Sequence, residues 1–163
     1  MKSKAVNKKM GIIAKNKNAL FNYEVLETYQ AGIVLSGPEV KSVKTGHIQL
    51  KGSYVTIDAN QEVWLIGAYI SPYKPAAHSQ TSYHPNQRRK LLLNKKEINS
   101  LMGKTKQKGL TIIPISVYTN KRLIKIDLAL ARGKTRVDKR ETIKKRETAR
   151  EINRALRSKN NGR

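Results

Sequence analysis

Cysteine is absent from the 163 residues, and only 11 side chains are acidic. With no thiols and three histidines, of which only His78 and His84 lie close together, a zinc-type ligand set has little to draw on. The carboxylates Glu39, Asp58, Glu62, Glu97 and Asp127 are scattered singly among lysine-rich stretches. Acid–base or two-metal catalysis therefore has no visible pair, and the expected role of these groups is to screen neighbouring positive charge. No P-loop or GxGxxG phosphate cradle is present. No run reaches the roughly 18 apolar residues of a membrane-spanning helix. The opening stretch MKSKAVNKKMGIIAKNKN is basic but lacks the apolar segment of about 7 to 15 residues that a secretory signal carries. These absences point to a cytoplasmic, non-enzymatic protein with no metal, no cofactor and no membrane partner.

What is there is positive charge. Thirty-four Lys and Arg leave a formal net charge of +23, a surface that repels itself unless it meets a polyanion. Nucleic acid supplies that polyanion as closely spaced phosphates whose released counterions drive binding. The length suits one domain of about 100 to 150 residues plus extensions, with too little chain for a second core.

Along the chain, residues 1–18 hold six Lys and no acid and read as a mobile basic arm ordered only near Ile12 and Ile13. Leu20 to Leu35 is rich in β-branched and aromatic residues around Gly32, and reads as one bent strand or two short ones. SGPEVKSVKTG is expected to be a short helix capped by Ser36, with Pro38 in its first turn and Gly46 as its stop. YVTID and EVWLIGAYI flank a polar turn as a hairpin. The Pro-punctuated stretch from Ser71 to Lys90 reads as an exposed, flexible loop. LLLNKKEINSLMG places Leu93, Ile98, Leu101 and Met102 near helical spacing, with Gly103 as the stop. The clearest element is a hairpin turning at Thr119-Asn120-Lys121. There Ile124, Ile126, Leu128 and Leu130 alternate with Lys125, Asp127 and Ala129 opposite Ile113, Ile115 and Val117. Five or six strands with a helix before the last hairpin predict a mainly β, OB-like antiparallel barrel over residues 19–132, flanked by two or three helices.

Basic residues beside exposable aromatics suit RNA, because Lys and Arg meet phosphate while Tyr stacks on an unpaired base. Tyr23, Tyr29, Tyr73 and Tyr83 are candidates, whereas Tyr54, Tyr69 and Tyr118 read rather as core residues with the hydroxyl at the rim. Lys41 and Lys44 share one face of the SGPEVKSVKTG helix. After Gly133 the apolar content collapses, and 12 basic against 4 acidic residues follow. That tail, residues 133–163, cannot bury a core; it is expected to be disordered when free and helical when phosphate neutralises it. Asp138-Lys139-Arg140-Glu141 reads as a capping box with Asp138 as the cap.

The strings AKNKNALFNYEVLETYQAGIVLSGPEVKSVKTGHIQLKGSYV, RRKLLLNKKEI, GLTIIPISVY and GKTRVDKRE resemble the small protein B family, the tmRNA-binding (SsrA-binding) proteins of bacterial trans-translation. The resemblance covers nearly the whole chain. It implies an OB-like body that binds the tRNA-like domain of tmRNA and delivers it to stalled ribosomes. It also implies a tail that turns helical in the decoding site and mRNA channel, and elongation factor Tu as a partner through aminoacylated tmRNA. By matching motif, Gln30, Leu92 and Asn94 belong to the tmRNA surface, although the family usually has Glu at Gln30. Asn16, Lys17, Tyr23, Lys41, Lys44, Lys90, Lys95 and Lys125 complete the candidate RNA-facing set. In the tail, Gly133, Lys134, Asp138, Lys139 and Arg140 match the pattern needed on the ribosome, with Leu156 at a later apolar position. Arg136, Lys144 and Lys145 are candidates for ribosomal phosphates. Thr135 replaces a common second Lys, and Val137 a His or aromatic. The alternatives are a structural ribosomal RNA-binding protein and a small basic nuclease on an OB barrel, the latter needing a divalent metal and clustered acids.

Overall fold

The computed structural model describes residues 11–160. They run β1 (Ile12–Lys15), α1 (Lys17–Asn22), β2 (Tyr23–Ile33), α2 (Gly37–Lys44), β3 (Ile48–Gln49), β4 (Tyr54–Ile57), β5 (Val63–Ile66), β6 (Tyr69–Ile70), a 3-10 segment (Lys74–Ser79), β7 (Arg89–Leu92), α3 (Lys95–Thr105), β8 (Leu110–Asn120), β9 (Leu123–Gly133) and α4 (Arg136–Asn160). Every strand pairing is antiparallel. β8, β4, β5, β7, β2 and β9 follow one another, and β9 returns to β8, so six strands close a barrel with β1 added beside β8. Closure leaves few open edges, and β3 and β6 form a separate ribbon. This is the mainly β architecture expected, with helices around it.

The last hairpin supplies the main core, but its alternation slips once. Ile124, Ile126, Leu128 and Leu130 all face inward and pack with Val43, Leu65, Ile70, Leu91, Leu101 and Val117. Each such side chain contributes about 1.5–3 kcal/mol on burial. Ala129, expected on the outer face, is buried too, as is Ala131, because α1 lays Ala19 over them and over Ile113 as a second small cluster. A bulge between Pro114 and Ser116 makes both cores possible. The extra residue inverts the in-out phase, sending Ile113 and Ile115 to the second cluster and Val117 to the first. The hairpin turns one step later than expected, at Lys121-Arg122 between the paired Asn120 and Leu123, and Lys121 takes φ 55.

The basic arm is more ordered than its sequence implies. Ile12–Lys15 is a strand on β8, and Leu20–Asn22, read as strand, lies in α1. Asn16 explains both. Its Oδ1 accepts the Ala19 N–H at 3.1 Å to cap α1, and its Nδ2 donates to Leu50 O at 2.9 Å and Pro114 O at 3.1 Å. The expectation for residues 1–10 lies outside the described residues.

α2 follows its sequence signature. Ser36 and Glu39 form a reciprocal capping box, Thr45 ends the helix, and Gly46 follows at φ +88. The EVWLIGAYI strand breaks at Gly67, φ +75, so that Tyr69 and Ile70 leave the barrel to pair with β3. α3 runs through Gly103 to Thr105, and Leu91 and Leu92, read as part of that helix, belong to β7.

Candidate nucleic-acid interface

Residues from three separate stretches of the chain meet on the outer barrel wall. Register places Gly32 opposite Leu92 on β7 and opposite Lys125 on β9, while Gln30 faces Asp127. α3 starts beside them at Asn94, and Glu97 accepts the Asn94 N–H at 3.2 Å, which fixes the corner between strand and helix. The result is a depression lined by Gln30, Gly32, Leu92, Leu93, Asn94, Glu97 and Lys125. Gly32 lies close under Leu92: a Cβ there would stand 3.4 Å from the Leu92 Cβ, in van der Waals contact. Leu92 is 55% exposed, an apolar side chain held in water at the lip. Gln30 and Asn94 are exposed, Lys125 is half-buried, and none of the described ion pairs uses Lys125. The depression therefore offers amide donors and acceptors, one ammonium, the apolar Leu92 and Leu93, and a Glu97 carboxylate that accepts the Asn94 N–H.

The flanks are basic. Lys95 is exposed beside Asn94, while Lys90, on the same face of β7 as Leu92, is engaged by Glu62. Lys41 and Lys44 are exposed on α2, and the Lys41 ammonium stands 5.6 Å from the Tyr73 ring centroid.

Arg89, which the sequence reading overlooked, bolts these flanks together. It is 3% exposed. Its Nε–H donates to Glu39 at 2.9 Å, its Nη1 to Ala68 O and Gln87 O, and its Nη2 to Tyr83 Oη and Pro85 O. Burial pushes the Glu39 carboxyl up, but the Ser36 N–H and the Arg89 guanidinium outweigh it and hold the group below its ordinary range. Tyr83 also donates to Ile70 O at 2.9 Å, and burial pushes its hydroxyl up. Gln80 holds Tyr73 at both its N–H and its carbonyl. The segment read as a flexible loop is thus fastened at several points.

The carboxylates do more than screen charge. Glu39 is buried against Arg89, Glu97 caps α3, and Asp127, also buried, accepts the Ser116 hydroxyl at 2.6 Å. Asp58 accepts the Trp64 indole N–H and two turn amides, Asn60 and Glu62, which hold its pKa down. Among the described residues no three His, Asp or Glu converge.

Three expected RNA contacts fall elsewhere. Asn16 is 4% exposed with its amide fully committed to Leu50, Pro114 and Ala19, so it serves as a core cap and not as part of an RNA-facing surface. Tyr23 packs half-buried against the second cluster, opposite Gly133, and Lys17 is exposed at the start of α1. Tyr23 lies at the root of the tail, where Asn22 O accepts the Lys134 N–H at 2.9 Å. Among the tyrosines read as core, Tyr118 is buried and Tyr69 half-buried, but Tyr54 is 44% exposed.

α4 presents the other basic surface. Its cap is Thr135 and not Asp138. The Thr135 hydroxyl accepts the Asp138 N–H, and Asp138 Oδ2 accepts the Thr135 N–H at 2.9 Å and hydroxyl at 2.7 Å. The Thr135 hydroxyl, ahead of its N–H, holds the Asp138 carboxyl below its ordinary range. Arg136, Arg140, Lys144 and Lys145 are exposed, and Lys139 is half-buried. Val137, Ile143, Ile152 and Leu156 are exposed apolar groups. The helix touches the body at α1, where the Arg146 guanidinium stacks 5.4 Å from the Phe21 centroid.

Relatives match this chain in sequence across almost its full length. A chain from Persephonella marina described as "SsrA-binding protein" is 49% identical over 148 residues, covering 91% of this chain and 95% of the relative. One from Gloeothece citriformis with the same description is 47% identical over 150 residues, covering 92% and 96%. A solved chain described by the words "tmRNA-SmpB: a journey to the center of the bacterial ribosome" superposes with a TM-score of 0.62 at 42% identity, covering 82% of this chain and 94% of that one. The model of the family described as "SmpB protein" matches residues 13–158, and the chain belongs to that family.

Proposed function

We propose that this chain binds SsrA RNA, the tmRNA, and brings it to stalled ribosomes for trans-translation. One observation carries the reading of the body: Gln30, Leu92, Asn94 and Lys125, from three distant stretches of sequence, converge on one exposed depression with an ammonium outside every described ion pair. The SsrA-binding relatives and the tmRNA-associated structural neighbour support it. The depression takes the tRNA-like domain, with Leu92 against a ribose or base face, Gln30 and Asn94 reading polar edges, and Lys125 with Lys95, Lys41 and Lys44 on phosphates. The tail, 133–163, works apart from the body, 19–132. Its Lys134, Arg136, Lys139, Arg140, Lys144 and Lys145 meet ribosomal RNA in the decoding site and mRNA channel, and Gly133 frees the hinge. Leu156 lies on an apolar contact further along, and Asp138 completes the cap.

Elongation factor Tu joins through the aminoacylated RNA, the setting is the cytoplasm, and the protein acts as an adaptor without a catalytic step. No helix among the described residues is long and apolar enough to cross a membrane.

The test is affinity for the tRNA-like domain together with recovery of RNA from a bacterial lysate. Asn94→Ala is expected to weaken binding with the barrel still folded, at a stability cost no larger than the roughly 1 kcal/mol of a lost N-cap on α3. About 4 to 8 phosphate contacts imply a log-log salt slope of roughly −3 to −7. Enrichment of ribosomal RNA without tmRNA would turn the reading toward a structural ribosomal protein.

A further inference from the structure

The barrel wall is weakest between β4 and β8. These strands share one register pair, Val55 with Ile112. Beside it the end of α3 fills the gap incompletely and leaves a cleft lined by Tyr54, Thr56, Ile57, Met102, Lys106 and Thr111. In the ring of strands, β5 separates this seam from β7 on one side, and β9 separates it from β2 on the other. The cleft is therefore distinct from the depression around Leu92.

Its chemistry is mixed in an unusual way. One wall is apolar, with Ile57, Met102 and the exposed ring of Tyr54. Among the described residues the hydroxyls of Tyr54, Thr56 and Thr111 make no hydrogen bond, whereas Thr105 spends its own on Leu101 O and Met102 O. Lys106 and Lys108 are exposed beyond the helix end, neither enters a described ion pair, and no carboxylate lines the cleft. An uncharged apolar ligand gains nothing from those lysines, and a bare anion gains nothing from the ring and thioether. A planar ring that carries polar edges and a phosphate uses all three.

We propose that the cleft between β4, β8 and the end of α3 binds one unpaired nucleotide of an RNA strand. The base lies against Tyr54 and Met102, the hydroxyls of Thr56 and Thr111 meet its edge or its ribose, and Lys106 meets the phosphate. Only the class of ligand is shared with the tmRNA reading. α3 runs from Asn94 at the depression to Lys106 at the cleft, about 16 Å over its 11 residues, so one rigid helix spaces the two sites.

The experiment uses the full chain with 13C-labelled methyls and titrates adenosine and uridine monophosphates, their nucleosides, and inorganic phosphate alone. Both monophosphates should move the Met102 and Thr111 methyls, and phosphate alone should not. Tyr54→Leu should weaken that response about tenfold, in line with the loss of one base–aromatic stack. Lys106→Glu, on an exposed position that leaves the fold intact, should erase the preference for monophosphate over nucleoside. Neither variant should alter binding of the tRNA-like domain at Leu92, and groove variants should leave the cleft titration unchanged. Shifts produced equally by phosphate alone, or absent from Met102 and Thr111 with either nucleotide, overturn the proposal. So does an uncharged strand-forming peptide that moves those methyls where the nucleotides do not, because the cleft is then a protein site.

Discussion

Arg89 and Arg146 are the same residue type in opposite circumstances. Arg89 is buried and donates every guanidinium N–H to acceptors in three segments of chain. Arg146 lies along an exposed helix and meets one aromatic ring. The contrast extends to the regions around them. In the barrel no buried side-chain nitrogen or oxygen lacks a partner among the described residues. In α4 no side chain from Arg136 to Arg157 is buried. A barrel position is specified by its neighbours, whereas a tail position is specified by charge and helix propensity alone, and a helix that buries no face is marginal in water. The body is thus expected to keep its shape without RNA, while the tail takes its order from what it touches.

Truncation after Arg132 tests that division most severely. Peptide tagging on a message without a stop codon should be abolished, while affinity for the tRNA-like domain and the melting temperature stay close to those of the full chain. Retained tagging, or collapsed affinity, would show the two regions to be one. Within the body, Arg89→Met leaves the Glu39 carboxylate buried without its partner and should cost about 3–5 kcal/mol in denaturant unfolding, with no change in the helical content of the tail. A loss below about 1 kcal/mol would mean that the bolt carries no load.

Glu39 sharpens the same point through pH. Its folded value lies below the ordinary 4.5, so its contribution is present above that value and fades as pH falls through it toward the folded value. Glu39→Gln should flatten the acid side of the stability curve below about pH 4.5, the ordinary value. The smallest effect belongs to the tail. Thr135→Ala removes the cap and should cost the helix about 1 kcal/mol, seen as faster amide exchange from Val137 to Lys144 with the barrel's unfolding unchanged.

How legible was this in the sequence? Local signals with one interpretation came through. Ser36 and Glu39 spell their capping box, and the run from Ile124 to Leu130 spells an inward face. Overlapping signals did not. Thr135, Asp138 and Glu141 stand three apart, so two capping boxes are written in one string, and only the Thr135 geometry decides between them. Arg89 was hidden in Arg88-Arg89-Lys90, which reads as a basic surface run, because a strand that turns one cation inward leaves no trace in composition. Asn16 was misread for the converse reason: its partners lie 34 and 98 residues away, beyond any local pattern. The depression itself was legible only through the family resemblance, since no spacing in the sequence announces that Gln30, Leu92 and Lys125 become neighbours.

The pairing of β2 with β9 and of β1 with β8 has a consequence for how the protein is made. Synthesis is vectorial, so β1 has no strand partner until β8 exists, and β2 has only its short pairing with β7 until β9 exists. At about 5–20 residues per second, the strand that ends at Ile33 waits several seconds for the hairpin that begins at Leu110. During that interval β3 to β7 can pair among themselves, but β1 and most of β2 are left without a strand partner. A polypeptide cut off anywhere before Leu123 lacks β9 and can never close.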